Sequence, residues 1–384
     1  MRTTNVKNRS KEVAKSTLSM DQVTTIIQPN SMSHFHELRE ILPTLPAETK
    51  TLRAFSNSRL ESISECPTFG VIHMQRQYPQ HGRALALEAG EAMHQFFAAM
   101  RCWQLWKFQG LPEHAQLTGE RIFGVERWIE IWKACVKHTS DMDQIAQLAF
   151  DVLNTSGYYD DPKDKNRTLA NMQTAAVVYA RETYPYLYAW PIWVDNPKDP
   201  LKPTGVEQVF DVVLEYMDGK RIRYIGTLDG ILCNASKNNR VTMAENKTAA
   251  RMDKAWIESF KMRHQITGYM ACGMALFQFS MYHARVYGCR LKPMYRGEDV
   301  HVEPVSRTKD DILHWANWVR RQVEIFEEYQ VDWEHSERRT HSCNRYFRPC
   351  ALIPFCGDTP EGRREQWDQM IDAVPSPSER ALQE

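Results

Sequence analysis

The sequence predicts an α/β fold with a central mixed sheet flanked by helices and enlarged by a helical insertion. Three observations carry this expectation. Arg221 to Lys247 contains short runs rich in β-branched and apolar residues, separated by a polar turn. Ala84 to Phe108 and Met252 to Tyr282 read as long helices. The 384 residues are 42% hydrophobic and 25% charged, which suits a globular protein with a sizeable core.

Taken in order, residues 1–50 read as a flexible arm. Met1 to Lys15 is basic and polar and lacks the apolar centre of a secretory signal. Residues 51–357 read as one domain. A helix at 84–108 is rich in Ala, Leu, Met and aromatic residues, and a further helical region runs from Gly119 to Asn154 on Phe123, Trp128, Ile131 and Trp132. Tyr158 to Arg167 is a loop whose Asp160-Asp161 pair suits a solvated turn, and Asp195 to Pro203 is a proline-punctuated loop. Arg221 to Leu232 reads as strand, turn, strand, with the turn at Gly226-x-x-Asp229; Val241 to Lys247 follows as a strand after Ser236–Asn239. Trp256, Phe260, Ile266, Met270 and Phe277 supply apolar positions to the next helix. Asp310 to Tyr329 is amphipathic, with Ile312, Trp315, Val319, Val323 and Phe326 along one stripe. Residues 358–384 read as a mobile tail. There are no internal repeats. The most apolar segment, Tyr269 to Tyr282, is shorter than the roughly 20 residues of a membrane span.

Net charge is zero, so overall charge does not announce a polyanionic partner. Any nucleic-acid path must be local. Arg251, Lys254, Lys261 and Arg263 form one candidate strip, and Arg338, Arg339, Arg345 and Arg348 another; solvated faces are the plain alternative.

Asp229, Glu245, Lys247, Gln265 and Tyr269 form the set with most chemical content. Hydrolysing a phosphodiester calls for a hard divalent cation that neutralises developing charge and activates water. Mg²⁺ takes oxygen ligands, often one or two carboxylates with water and phosphate. Asp229 and Glu245 can supply the carboxylates. Lys247 projects from the strand face of Glu245 because side chains alternate with period two. Its ammonium could orient a water and offset charge in the transition state. Gln265 and Tyr269, four apart on a helix, share a face. Singly, each has a structural alternative: a hairpin turn for Gly-x-x-Asp, a solvated face for Glu-x-Lys, packing for Tyr269.

In this order, Asp229, Glu245-Asn246-Lys247 and Gln265-Ile-Thr-Gly-Tyr269 resemble the motifs of the PD-(D/E)XK nucleases, specifically the RecB-like branch. The resemblance spans roughly residues 54 to 357. It implies a restriction-endonuclease-like core, with His94 in Gly90–His94 as a further ligand of Mg²⁺ or Mn²⁺ and Glu207 as an accessory acid. A core histidine is the plain alternative for His94, which neighbours Phe96 and Phe97.

Nine cysteines without a secretory signal point to a reducing compartment, the cytoplasm. Cys102, Cys135, Cys233, Cys272 and Cys289 lie singly in apolar contexts, where cysteine acts as a small hydrophobe. Cys66 stands alone upstream, and Cys343, Cys350 and Cys356 cluster downstream. One plus three is similar to the iron–sulfur nucleases of the RecB-like branch, including AddB-type subunits and CRISPR-adaptation exonucleases. The resemblance implies that these four hold a 4Fe–4S cluster, although the gap from Cys343 to Cys350 is wider than is common in that branch. Structural zinc is the competing metal and free thiols the plain alternative. Either metal would staple the two ends of the domain.

The resemblance implies a metal-dependent deoxyribonuclease, more exonucleolytic than site-specific, acting in recombination, repair or other DNA processing, with single- or double-stranded DNA and recombination or replication proteins as partners. No Walker-type phosphate loop accompanies it, so no helicase is expected. A catalytically inactive DNA-binding scaffold and a nuclease acting on RNA are the alternatives.

Overall fold

A computed structural model describes residues 52–77, 85–183, 189–191, 195–196, 199–203, 205–234, 240–277, 281–293, 299–345 and 348–372. The expected N-terminal arm lies outside these residues, as do the turn Ser236–Asn239 and everything past Asp372.

Seven strands form one mixed sheet: β1 (Ala54–Ser56), β2 (Ala189–Pro191), β3 (Val206–Glu215), β4 (Arg221–Asn234), β5 (Arg240–Ala249), β6 (His283–Arg290) and β7 (Val300–Ser306). β4 is its axis. One edge of β4 pairs antiparallel with β3 and, beyond it, with β2. The other pairs with β1, parallel, at Arg223–Ile225 and with β5, antiparallel, at Gly230–Asn234. β5 then runs parallel to β6, and β7 closes the sheet antiparallel to β6.

Helices cover both faces. One layer contains α3 (Leu85–Gln109), α4 (Pro112–Phe123), α5 (Val125–Val136), α6 (Asp141–Asn154) and α7 (Leu169–Thr183), which bury Phe96, Trp103, Trp128, Leu148 and Tyr179 with Leu232, Ala244 and Tyr287 of the sheet. The opposite layer contains α1 (Asn57–Glu65), α2 (Pro67–Gln75), α9 (His264–Phe277) and α10 (Lys309–Tyr329), packed on Phe210, Tyr224, Leu228 and Met243; α8 (Lys254–Ser259) precedes α9. The α/β architecture with a helix-flanked mixed sheet is therefore as expected. Ile312, Trp315, Val319, Val323 and Phe326 are all buried along α10, whose start carries a Thr308–Asp311 capping box.

Four local expectations are corrected. Gly226-x-x-Asp229 is not a turn; β4 runs unbroken through it. Gly226 serves packing instead, since a Cβ there would come within 2.4 Å of the Phe210 ring. Gly226→Ala should accordingly overpack this core and lower stability by about 1–3 kcal/mol, read as a shift in denaturant midpoint. The helical region from Gly119 to Asn154 is three helices, interrupted at Gly124, whose φ of +83° favours glycine, and restarted by the Ser140 cap. The long helix from Met252 is split into α8 and α9. Asp195–Asn196 and Asp199–Pro203, read as loop, pair as a short antiparallel ribbon.

The segment read as a mobile tail is folded through Asp372. After α11 (Ile353–Gly357), α12 (Pro360–Gln369) buries Trp367, which stacks on Trp333 with ring centroids 4.4 Å apart beneath the Arg76 guanidinium. Ile371–Asp372 then pairs with Arg76–Gln77. Trp367 and Met370, buried with Ile72, Leu352 and Phe355, outweigh the polar composition around them. Trp367→Ala should cost about 3 kcal/mol by the range for buried aromatic truncations, measured by chemical unfolding.

Candidate metal centre

The sheet opens between β4 and β5. The β4–β5 ladder ends at the pair Gly230–Ala244, while β1 reaches only to Ile225, so Gly226 to Asp229 have no backbone partner on that edge. Asp229 and Glu245 are the first residues past the last rung. The freed N–H of Asn246 donates to Asp229 Oδ2 at 2.6 Å, so a carboxylate takes the place of a ladder carbonyl. On the other side of β4, the β3 register passes from Val206–Gly230 to Gln208–Leu228 and skips Glu207, which faces Asp229. Three carboxylates thus form a row across three strands: Glu207, Asp229, Glu245. The apolar pattern changes phase at the same rung. Leu228 and Ile231 pack with one helical layer, and Leu232 with the other.

His94 enters from α3. Its Nδ1 lies 3.5 Å from Asp229 Oδ1, and its ring meets Phe97 edge-on, one turn along the helix. Ligand atoms of His94, Glu207 and Asp229 all lie within 4.8 Å of one another, a spacing that suits one cation. Among the described residues this is the one such group of three. Glu245 points to the same opening, but its Oε1 takes Lys247 Nζ at 2.6 Å. The Glu245-Asn246-Lys247 side chains therefore fall as period-two alternation requires, with Asn246 on the opposite face accepting from the Tyr179 hydroxyl at 3.0 Å.

Burial sets the protonation balance. Desolvation pushes Asp229 up to about 6 against the pull of Lys247 and the Asn246 N–H, and pushes Glu245 up to about 7 with added repulsion from Asp229. Glu207 is raised well above the ordinary carboxylate range, again by desolvation first. Desolvation and then the Lys247 charge bring His94 down to about 4, leaving a neutral imidazole, the form that binds metals. Desolvation acts to lower Lys247, but Glu245 and Asp229 outweigh it and leave the ammonium raised. Glu207 Oε1 and Glu245 Oε2 are buried without a hydrogen-bond partner. Buried orphan acceptors of this kind are costly. A divalent cation would relieve them.

A pH signature follows. Carboxylates with raised folded pKa values bind protons that the unfolded chain has released, so they subtract stability as pH rises from their ordinary values toward 7. The metal-free protein should lose melting temperature between about pH 4 and 7, and Glu245→Gln should remove part of that slope.

Gln265 and Tyr269 lie on α9, half-buried. Tyr269 meets Phe210 edge-on at 5.4 Å, and desolvation, followed by the Glu245 charge, pushes its phenol up while the Gln265 side chain pulls it back. Tyr269 therefore both packs in the core and borders the carboxylates. Arg263 stands just before α9, close enough to act on Lys247 electrostatically, whereas Arg251, Lys254 and Lys261 are exposed.

Sequence reasoning misses two residues of the site. Arg101 lies two turns beyond His94 on α3, fully buried, with Nη1 donating to Gln104 Oε1 and the guanidinium 5.3 Å from the Tyr287 ring; its charge lowers Asp229. The seven-residue interval could have signalled it. Arg121, from α4, donates to the backbone beside Glu207, and nothing in the local sequence marks it.

A second group gathers where the two ends of the domain meet. Cys66 separates α1 from α2, and this junction is tied to residues 336–342 without any metal. Thr68 Oγ1 donates to Glu337 O at 2.9 Å, Ser342 Oγ to Glu65 O at 2.8 Å, and Arg339 Nη1 to Ser64 O. Cys343 O accepts from Cys350 N at 2.7 Å, and Arg338 Nη1 donates to Cys356 O at 2.9 Å. All four cysteines are half-buried. Burial pushes the Cys356 thiol up to about 11, with Cys66, Cys350 and Cys343 adding to the rise, so the four lie within electrostatic reach of one another. No three of the thiols come within 4.8 Å of one another. Arg338 and Arg339 thus hold the cysteine loop, while the side chains of Arg345 and Arg348 lie outside the described residues. Cys102, Cys135, Cys272 and Cys289 are buried as small hydrophobes; the Cys233 side chain is outside the described residues.

Compared with protein-family models and with curated proteins, the chain matches none. Among the described residues no helix is long and apolar enough to cross a membrane.

Proposed function

We propose that this protein is a divalent-metal-dependent nuclease with a PD-(D/E)XK-like core that hydrolyses phosphodiester bonds in DNA. The observation that carries the reading is the row Glu207–Asp229–Glu245 at the fork of the sheet, flanked by His94 and Lys247 and holding two buried carboxylate oxygens without partners. His94, Asp229 and Glu207 would hold the cation, with Glu245 free to contribute its Oε2. Mg²⁺ or Mn²⁺ would polarise the phosphate and acidify a bound water.

The chain's own groups supply the rest. Glu245 fixes the Lys247 ammonium at the mouth of the carboxylate row, where it can orient a water and offset negative charge on the phosphate. Asn246 is locked by Tyr179 and Asp229, which keeps the Glu245 and Lys247 side chains aimed. Gln265, Tyr269 and Arg263 border the opening from the α9 side and can shape it around a DNA backbone.

The same reading gives Cys66, Cys343, Cys350 and Cys356 a 4Fe–4S cluster that reinforces the junction of the two chain ends. Structural zinc on the same four thiols is the competing assignment.

The test is incubation of end-labelled single- and double-stranded DNA, and matched RNA, with the purified protein and Mg²⁺ or Mn²⁺. Progressive shortening of DNA, stopped by EDTA, is expected. Preferential loss of RNA would reassign the substrate. Binding without cleavage by either metal would make the protein a scaffold of the same fold. His94→Ala should raise the metal concentration needed for half-maximal cleavage by roughly 10-fold or more. A lowered melting temperature with unchanged metal dependence would return His94 to a core role.

A further inference from the structure

We infer that Arg121, on the helical insertion, is a positioning residue that holds Glu207 in its ligand geometry. This rests on the metal-centre reading above. Glu207 is the one non-glycine residue with a positive φ among the described residues, at +46°. Left-handed backbone of this kind is strained for a residue with a side chain and persists only where the surroundings enforce it. What enforces it is visible. Arg121 extends from α4 and forks onto two successive carbonyls, Nη1 donating to Glu207 O at 3.3 Å and Nη2 to Val206 O. Next to them, Gly205, with φ +97°, turns its carbonyl to accept Ile231 N at 2.8 Å.

The consequence is a change of face. Val206 packs with the layer of α3 to α7, whereas Phe210, Val212 and Leu214 pack with the opposite layer. Even-numbered residues of a flat strand would share one face. The reversal takes place around the left-handed residue, at the rung where the ladder skips the Glu207–Asp229 pair. Without it, the Glu207 carboxylate would not converge with His94 and Asp229. A guanidinium suits the task because its planar fork offers parallel donors to adjacent carbonyls, which a lysine cannot do. α4 is thereby coupled to the metal centre through the Arg121 side chain.

The test is a titration of the metal-free full-length protein with Mn²⁺, following the loss of the free-ion signal by electron paramagnetic resonance. Arg121→Met and Glu207→Gln should each weaken Mn²⁺ about 10–100-fold, the range for groups that orient ligands. The double variant should be no weaker than Glu207→Gln alone, because Arg121 acts through Glu207. Arg121→Lys keeps charge and bulk but loses the fork, and should show a loss of the same order even if the methionine variant does not fold. Wild-type affinity in Arg121→Lys, or multiplying losses in the double variant, would overturn the positioning role. Wild-type affinity in Glu207→Gln would instead remove Glu207 from the ligand set, and no Mn²⁺ binding by the wild type would remove the metal centre itself.

Discussion

Asp229→Asn protein should fold and cleave nothing. The amide keeps an oxygen that can accept the Asn246 N–H, so the fork of β4 and β5 is preserved, but the charge that a cation requires is gone. Cleavage should fall to background with either metal. Stability should move the other way. At pH 8 the wild type holds an ionised carboxylate that burial has pushed up to about 6, and the neutral amide avoids that penalty. A variant that melts higher than the metal-free wild type yet is inactive is the signature of a residue kept for chemistry. Lys247→Ala should lose about 10²–10³-fold in rate, the range for one preorganised charge-stabilising group, with its metal affinity largely retained. Single-turnover cleavage beside metal titration separates the two cases. Wild-type cleavage by either variant, in preparations free of contaminating nuclease, contradicts the assignment.

The second large effect concerns the four cysteines. A link from Cys66 to the Cys343–Cys356 loop closes most of the domain, and by analogy with a long disulfide loop it is worth about 5 kcal/mol. Protein purified without oxygen should be brown with about four irons per chain. Serine at Cys66, Cys343, Cys350 or Cys356 should bleach it and lower the unfolding midpoint sharply. Serine at the buried Cys102, Cys135, Cys272 or Cys289 should leave the colour intact. One zinc per chain in a colourless preparation would keep the staple and replace the iron. A metal-free, equally stable protein would remove both. The hydrogen bonds from Thr68, Ser342 and Arg339 hold the junction in any case, so loss of the metal should loosen these ends rather than unfold the sheet.

What was legible in the sequence was local. Apolar spacing placed α10 and α3, and period-two alternation placed Lys247 against Glu245. What was not legible depends on partners far along the chain. The break between α8 and α9 is held by Arg307, which donates to Phe260 O at 3.0 Å and Thr267 Oγ1 at 2.7 Å, 47 and 40 residues upstream. Gly226 read as a turn because its real reason, the Phe210 ring, sits on a neighbouring strand. Glu207 followed only from the resemblance, and its convergence with His94 and Asp229 needs the left-handed kink that Arg121 enforces. Asp229, Glu245 and Lys247 could be named from spacing, whereas the pairing of His94 with Asp229 emerges only where the strands part.

The most direct test of metal-assisted phosphodiester hydrolysis is cleavage of DNA carrying sulfur in place of a non-bridging oxygen at the scissile phosphate. Mg²⁺ favours hard oxygen ligands, and Mn²⁺ tolerates the softer sulfur better. Unmodified DNA should be cut with both metals, while phosphorothioate DNA should be cut slowly with Mg²⁺ and recover with Mn²⁺. Equal rates on both substrates with Mg²⁺, cleavage that survives EDTA, or no cleavage of nucleic acid with either metal would contradict the account.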